Sequence, residues 1–81
     1  MRVVADIPHP DIKITLLAWN GKYLLKLELG PFEQTYKVSE MEVTGGDEEV
    51  KTWLDAPFLE GCLELFLAMR KNLYATRDRH E

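Results

Sequence analysis

Apolar and polar residues alternate along residues 12 to 29 in two runs that are separated by the dipeptide Asn20-Gly21. Asn-Gly is the favoured pair for a type I′ turn, and period-two alternation is typical of strands with one buried face. A two-residue loop pairs Trp19 with Lys22 and thereby fixes every further pair of the hairpin. The predicted core face carries Ile12, Ile14, Leu16, Ala18, Tyr23, Leu25, Leu27 and Leu29.

A third strand is expected after Gly30-Pro31, which is a turn signal. The alternation continues through residues 39–43, which favours a bulged continuation or a short fourth strand there. The run Ser39-Glu40-Met41-Glu42 also fits a capping box at the start of a helix, so both interpretations stay open. The core side of the third strand is expected to carry Phe32, Tyr36 and Val38.

Two helices are expected in the C-terminal half of the chain. Asp47-Glu48-Glu49 offers an N-cap and first-turn acids for a short helix. Asp55 then caps a long helix, with Pro57 in its first turn, where proline is tolerated. Apolar residues recur at helical spacing from this point, which predicts a helix that runs to about Ala75.

These elements together predict an α+β fold. It is an antiparallel β-meander of three strands, with a short fourth left open, followed by a short helix and a long C-terminal helix packed on one sheet face. Residues 1–11 are expected to form an extended N-terminal arm, because Pro8-His9-Pro10 breaks regular structure, although the apolar residues before it could add an edge strand. Residues 12–75 are the predicted domain, and residues 76–81 a flexible tail.

The composition is that of a globular protein, with 46% hydrophobic and 30% charged residues. No apolar run approaches the roughly 20 residues that a membrane span needs, and the first residues lack the apolar core of a secretory signal, so we expect no membrane partner and a cytoplasmic location. Cys62 is the only cysteine, and its apolar surroundings predict a buried, unreactive thiol. The net charge is −4, and its acidic part is residues 40 to 64, with eight acidic side chains and one basic.

Little in the sequence is typical of catalysis. There is no CxxC, HExxH, GxGxxG or P-loop pattern, and neither His9 nor His80 has a partner at a spacing that suggests a base or a metal ligand. The acids at 47–49 could surround a cation, but acids in the first turn of a helix more often complement the helix dipole. We therefore predict a non-enzymatic protein with no cofactor and no metal site.

The long helix has more apolar surface than one small sheet covers. At 100° per residue its apolar side chains span an arc of roughly 200°, and docking on three strands needs about half of that. The surplus predicts a homodimer, because a small domain gains much from burying a second apolar face; packing against the short helix and the arm is the alternative. The predicted dimer interface consists of Gly61, Leu63, Leu67, Ala68 and Tyr74.

The sheet face opposite the core has four lysines against two glutamates, together with a tryptophan. Such a face can stack single-stranded bases and neutralise phosphates, although lysines on exposed strands also serve solubility. The sequence thus predicts an interaction or regulatory module that homodimerises, with weak single-stranded nucleic-acid binding as the alternative. The candidate nucleic-acid or partner face consists of Lys13, Leu17, Trp19, Lys22, Leu24, Lys26 and Lys37.

Overall fold

Four antiparallel strands form one sheet in the order β1-β2-β3-β4, and two helices follow it in the computed structural model, which describes residues 1–81. The predicted α+β meander with a short helix and a long C-terminal helix is confirmed. The strands are β1 Arg2–Ile7, β2 Lys13–Trp19, β3 Lys22–Leu29 and β4 Phe32–Ser39, and the helices are α1 Gly46–Thr52 and α2 Ala56–Arg79.

The central hairpin of β2 and β3 has the register that its turn predicts. Every pair is present from Lys13–Glu28 to Trp19–Lys22. Asn20 and Gly21 have φ values of 54° and 76°, as a type I′ turn requires of both central residues. The predicted core positions of both strands are buried, except that Leu29 at the end of β3 is half-buried. Turn chemistry and the two-sided pattern therefore agree.

The fourth strand lies at the N-terminus, within the segment expected to be an extended arm. β1 pairs antiparallel with β2 from Arg2–Ala18 to Ile7–Ile14, and a bulge interrupts the ladder between Val3 and Ala5. This pairing gives the outer backbone groups of β2 hydrogen-bond partners that they would otherwise lack. The prolines after Ile7 end the strand, because they cannot donate to the ladder.

The favoured strand at residues 39–43 is wrong, since a single 3₁₀ turn spans Glu40–Glu42. The Ser39 hydroxyl accepts a hydrogen bond from the backbone N–H of Met41 at 3.2 Å, so a local cap ends the ladder. Met41 is 92% exposed. Val43 beyond the turn is buried in the core, which explains why the apolar alternation appeared to continue.

The helix caps follow the prediction for α2 and depart from it for α1. The Asp55 carboxylate accepts from the backbone N–H of Phe58 at 3.0 Å, which confirms that cap. In α1 the N-cap position belongs to Gly45, and Asp47 lies inside the first turn, so its prediction as a cap is wrong. α2 also continues past Ala75 to Arg79, so four of the six residues expected as a tail are helical.

The core lies between the sheet and the two helices. The inner face of the hairpin packs against residues from α1, from α2 and from the short segments on either side of α1. No helix combines the length and apolar composition that crossing a membrane requires. Gln34 is the one buried polar side chain, and it lies where α2 crosses β4. The residues that the chain after β4 contributes to the buried core are Val43, Val50, Leu54, Cys62 and Phe66.

Candidate interaction surfaces

α2 runs antiparallel to β4 and continues beyond the end of the sheet. Near its start, Phe58 makes an edge-on contact with Tyr36, with ring centroids 5.4 Å apart. Phe66, two turns later, lies beside the turn that joins β3 and β4. Leu73 follows Phe66 by seven residues and so occupies the same face of the helix. Phe66 is 2% exposed and Leu73 is 49% exposed, so the sheet ends before it reaches Leu73.

The five residues of the predicted dimer interface differ in their surroundings. Leu67 is 60% exposed, and Ala68 is exposed beside it. Leu63 is half-buried against the core, which is the intrachain packing that the sequence left as an alternative. Tyr74 is half-buried between two arginines, and a Cβ added to Gly61 would meet open space. The structure therefore leaves the predicted surface uncovered at Leu67, Ala68 and Gly61, and covers part of Leu63.

Two leucines of α2 that lie outside the predicted interface are also exposed. Leu65 is 52% exposed, and Leu73 is about as exposed. Both belong to the wide apolar arc that the sequence predicts for this helix. The wide apolar arc was the signal in the sequence for these exposed leucines. The sequence does not show how far the sheet extends along the helix, so it does not show which leucines of the arc stay exposed.

A cleft of about 230 Å³ separates α2 from the turn between β3 and β4. Its walls are mostly apolar, with a single charged side chain, Arg70. The guanidinium carbon of Arg70 lies 5.4 Å from the centre of the Tyr74 ring, and that of Arg77 lies 4.7 Å from it. The cleft is lined by Leu29, Gly30, Pro31, Phe32, Phe66, Leu67, Arg70 and Tyr74.

The opposite face of the sheet carries the predicted lysines, but its net positive charge is smaller than expected. The Lys26 ammonium lies 3.8 Å from carboxylate oxygens of both Glu28 and Glu33, so its charge is offset by neighbours. β1 adds Asp6, which pairs across the ladder with Thr15 on this face. Lys13, Lys22 and Lys37 remain exposed there.

The apolar residues of this outer face form one row across three strands. Val3 pairs with Leu17, and Leu17 pairs with Leu24, so β1 extends the cluster sideways and does not cover it. Leu24 is only 8% exposed, although it points away from the helices. Trp19, at the end of the hairpin, is 52% exposed and pairs with Lys22. An aromatic ring beside a lysine is therefore available at this end of the sheet.

Sequence reasoning missed a polar cluster that joins the N-terminal strand to α1. The Asp47 carboxylate accepts from the Arg2 guanidinium at 2.9 and 3.3 Å and from the Tyr23 hydroxyl at 2.7 Å. The hydrogen bonds from Arg2 and then Tyr23 lower the pKa of Asp47 below its usual value. No local pattern marks these residues as partners, since 45 positions separate Arg2 from Asp47.

The only thiol of the chain is out of reach of solvent. Cys62 is 1% exposed, as predicted, and burial raises the pKa of its thiol. Burial likewise raises the pKa of Tyr36, whose hydroxyl lies 4.0 Å from the Cys62 sulfur. A thiol with a raised pKa and no access to solvent is a poor nucleophile. The surfaces of α2 and of the sheet are therefore the features on which function can be argued.

Comparison with protein-family models, with curated proteins and with solved structures finds no match to this chain.

Proposed function

We propose that this chain is a non-enzymatic interaction module that homodimerises through α2. The observation that carries the proposal is the apolar surface of α2 that packing within the chain leaves uncovered, at Leu65, Leu67 and Leu73. Leu67 shares one side of the helix with Leu63 and Tyr74. Leu65, about 200° away around the helix, lies nearer to Leu73, so the uncovered apolar area of α2 extends over two sides. Burial of these leucines against a partner would be favourable, because it removes this area from water.

The small size of the buried core favours the presence of a partner. Only 14 of the 81 residues are buried, so the domain has little internal burial to offset the conformational entropy that folding costs. A protein whose folded form binds a second copy gains stability by mass action. The single free cysteine is compatible with the cytoplasmic location that we propose, where thiols stay reduced.

The charges along α2 favour a second copy as the partner. The half of the helix before Leu67 carries Glu60 and Glu64 and no basic residue. The half after it carries Arg70, Lys71, Arg77 and Arg79, with Asp78 as its only acid. Two antiparallel copies of α2 therefore set an acidic half against a basic half on both sides of the symmetry axis. Closed two-fold symmetry is the commonest arrangement of homodimers.

Light scattering coupled to size-exclusion chromatography over a range of concentrations tests the proposal. We expect a dimer for the wild type and a monomer for Leu67→Glu, because an isologous contact would have to desolvate two added carboxylates. Met41→Glu is the matched control, since it replaces an apolar side chain that is 92% exposed and adds the same charge outside α2, and it should stay dimeric. A wild type that remains monomeric at high concentration would refute the proposal, and so would a dimer that Leu67→Glu leaves intact.

A second candidate function is weak binding of single-stranded nucleic acid at the Trp19 end of the sheet. The observation that favours it is the cross-strand pair of an exposed tryptophan and Lys22, with Lys37 on the same face. Labelled oligonucleotide should then bind at low salt and dissociate as salt rises. Trp19→Ala should lose about 1–3 kcal/mol of binding free energy, whereas Trp53→Ala, on the helical side, should lose none. Absence of binding at low ionic strength would remove this candidate.

A further inference from the structure

The two edges of the sheet are not equally open to another strand. β1 is interrupted by a bulge between Val3 and Ala5 and ends at Pro8, two features that hinder the addition of a strand. β4 is a regular strand of eight residues, Phe32–Ser39, which contains no proline and pairs with β3 at every position. β3 is its only neighbour, so one side of its backbone is free. β4 is therefore the edge at which a strand can be added.

Alternate residues of β4 direct their backbone N–H and C=O groups toward the free side of the strand. Gly30-Pro31 is a two-residue loop, so the closing pair Leu29–Phe32 exchanges both backbone hydrogen bonds. Every second residue of β4 from Phe32 onward then directs its N–H and C=O toward β3. The residues between them, Glu33, Thr35 and Lys37, direct theirs away from the sheet, and all three are exposed. A new strand would therefore bond to these three residues.

The sequence of β4 is complementary to itself in the antiparallel direction. Centred on Thr35, the strand pairs Glu33 with Lys37 of a second copy, and Lys37 with Glu33 of that copy. Thr35 faces its own equivalent, and threonine pairs and opposite-charge pairs are both favourable across strands. On the helix side, Gln34 faces Tyr36, and Phe32 faces Val38. No pair in this register sets like charges together.

We infer that β4 pairs with β4 of a second copy, antiparallel and centred on Thr35, to form one continuous eight-stranded sheet. The inference deepens the proposed function and rests on it in one respect, that the partner is the same chain. The partner carboxylate is available, because Glu33 is half exposed. Its present neighbours are the Thr35 hydroxyl at 2.8 Å and Lys26 at 3.8 Å, which leave carboxylate lone pairs for a lysine of the second copy.

This pairing fixes which parts of the two copies of α2 face each other. The two-fold axis through Thr35 is perpendicular to the sheet, so both helices lie on the same face and run antiparallel. α2 crosses β4 at Cys62, whose carbonyl accepts a hydrogen bond from Gln34 at 2.8 Å. The axis passes beside Cys62, so the two copies of α2 approach each other over the first half of the helix, and Leu67 and Leu73 lie beyond that contact. The strand contact is therefore different from the proposed contact at Leu67.

Cross-linking gives the direct test of the strand contact. In the proposed register the two Thr35 Cα atoms are about 5.5 Å apart, within the range that a disulfide spans. Mild oxidation of Thr35→Cys should therefore give a covalent dimer in high yield. Thr15→Cys is the matched control, because it places a thiol on the same sheet face in an inner strand. It should stay monomeric on a denaturing gel, and the native Cys62 is buried.

Charge reversal tests the register. Lys37→Glu sets two pairs of like charges together and should raise the dissociation constant of the dimer about tenfold, while the double variant Glu33→Lys/Lys37→Glu should restore most of the affinity. Lys13→Glu makes the same charge change away from the edge and should have little effect.

No cross-link at Thr35→Cys and no rescue by the double variant would overturn the strand pairing. If Leu67→Glu still gives a monomer, the proposed dimer through α2 stands without it. A cross-linked Thr35→Cys whose dimer resists Leu67→Glu would instead support the strand contact and overturn the contact through α2, and a monomeric wild type would overturn both.

Discussion

Asp47, in the first turn of α1, forms a bidentate ion pair with Arg2, the first residue of β1. The same carboxylate accepts a hydrogen bond from Tyr23 of β3, so one side chain connects an edge strand, a central strand and a helix. The hydrogen bond also raises the pKa of Tyr23, because its neutral hydroxyl is the donor. The start of the chain is thereby held against a helix whose Asp47 lies 45 positions later in the sequence.

Acid should weaken this connection. The pKa of Asp47 is lower in the folded protein than in the unfolded chain, so its contribution to stability is complete above the unfolded value of about 3.9 and is lost as pH falls through the folded value. Urea unfolding at a series of pH values should show that Asp47→Asn loses less stability than the wild type between pH 5 and pH 2. Glu48→Gln, an exposed acid on the same turn, should keep the wild-type slope. Parallel curves for Asp47→Asn and the wild type would contradict the role of the pair.

Removing both partners of the Gln34–Tyr36 hydrogen bond should cost less than the sum of the two single removals. The Gln34 amide donates to the Cys62 carbonyl at 2.8 Å and accepts from the Tyr36 hydroxyl at 2.6 Å. Tyr36→Phe leaves a buried amide oxygen without a donor, which should cost about 1–3 kcal/mol of unfolding free energy. In Gln34→Leu/Tyr36→Phe the costs should be less than additive, as measured by a double-mutant cycle. Strict additivity would mean that the two side chains act independently.

A β-branched residue at Gly21 should destabilise the protein through the backbone conformation of the turn alone. Gly21 has φ of 76°, and no atom lies within 4 Å of the position that a Cβ would occupy, so crowding does not contribute. Gly21→Val should therefore destabilise the protein by about 1–3 kcal/mol, whereas Gly21→Asn should cost less, because asparagine tolerates this region. Thermal unfolding distinguishes the two. Equal losses would show that the left-handed conformation is not the cause.

Gly61 offers the opposite case within α2. It is helical, and a Cβ added there meets nothing within 4 Å, so Gly61→Ala should raise the stability of the single chain by about 1 kcal/mol through helix propensity. If the helix of a second copy approaches closely at Gly61, the same substitution should weaken the dimer. Unfolding in dilute solution and sedimentation at high concentration measure the two effects separately. A less stable single chain would contradict the open surroundings of this residue.

Much of the fold could be predicted from local signals. Asn20-Gly21 specifies a turn with two positive φ angles, and the alternation on each side then allows one register only, since a slip of one residue would turn the core face outward. Asp55 likewise marks the start of α2, because a carboxylate at that position satisfies a free N–H. These predictions hold because each depends on interactions within a few residues or on one strand pair.

The predictions that failed depend on groups far apart in the chain. Residues 2–7 are a strand because β2 has a free edge, and Asp47 leaves the capping position because Arg2 and Tyr23 lie within reach of its carboxylate. At residues 39–43 two local signals competed, and the Ser39 cap prevailed because the buried site for Val43 lies after the turn.

The sequence by itself determined the hairpin, its register, the helix starting at Asp55 and the wide apolar arc of that helix. The tertiary structure decided which part of the arc is covered, since it fixes where the sheet ends beneath α2 and so separates buried Phe66 from exposed Leu73. It also decided which edge can take another strand, because β1, which a bulge interrupts, forms one edge and the regular strand β4 forms the other. The physical reason is that helix and strand patterns repeat over a few residues, whereas burial and edge exposure depend on the relative lengths and positions of elements distant in sequence.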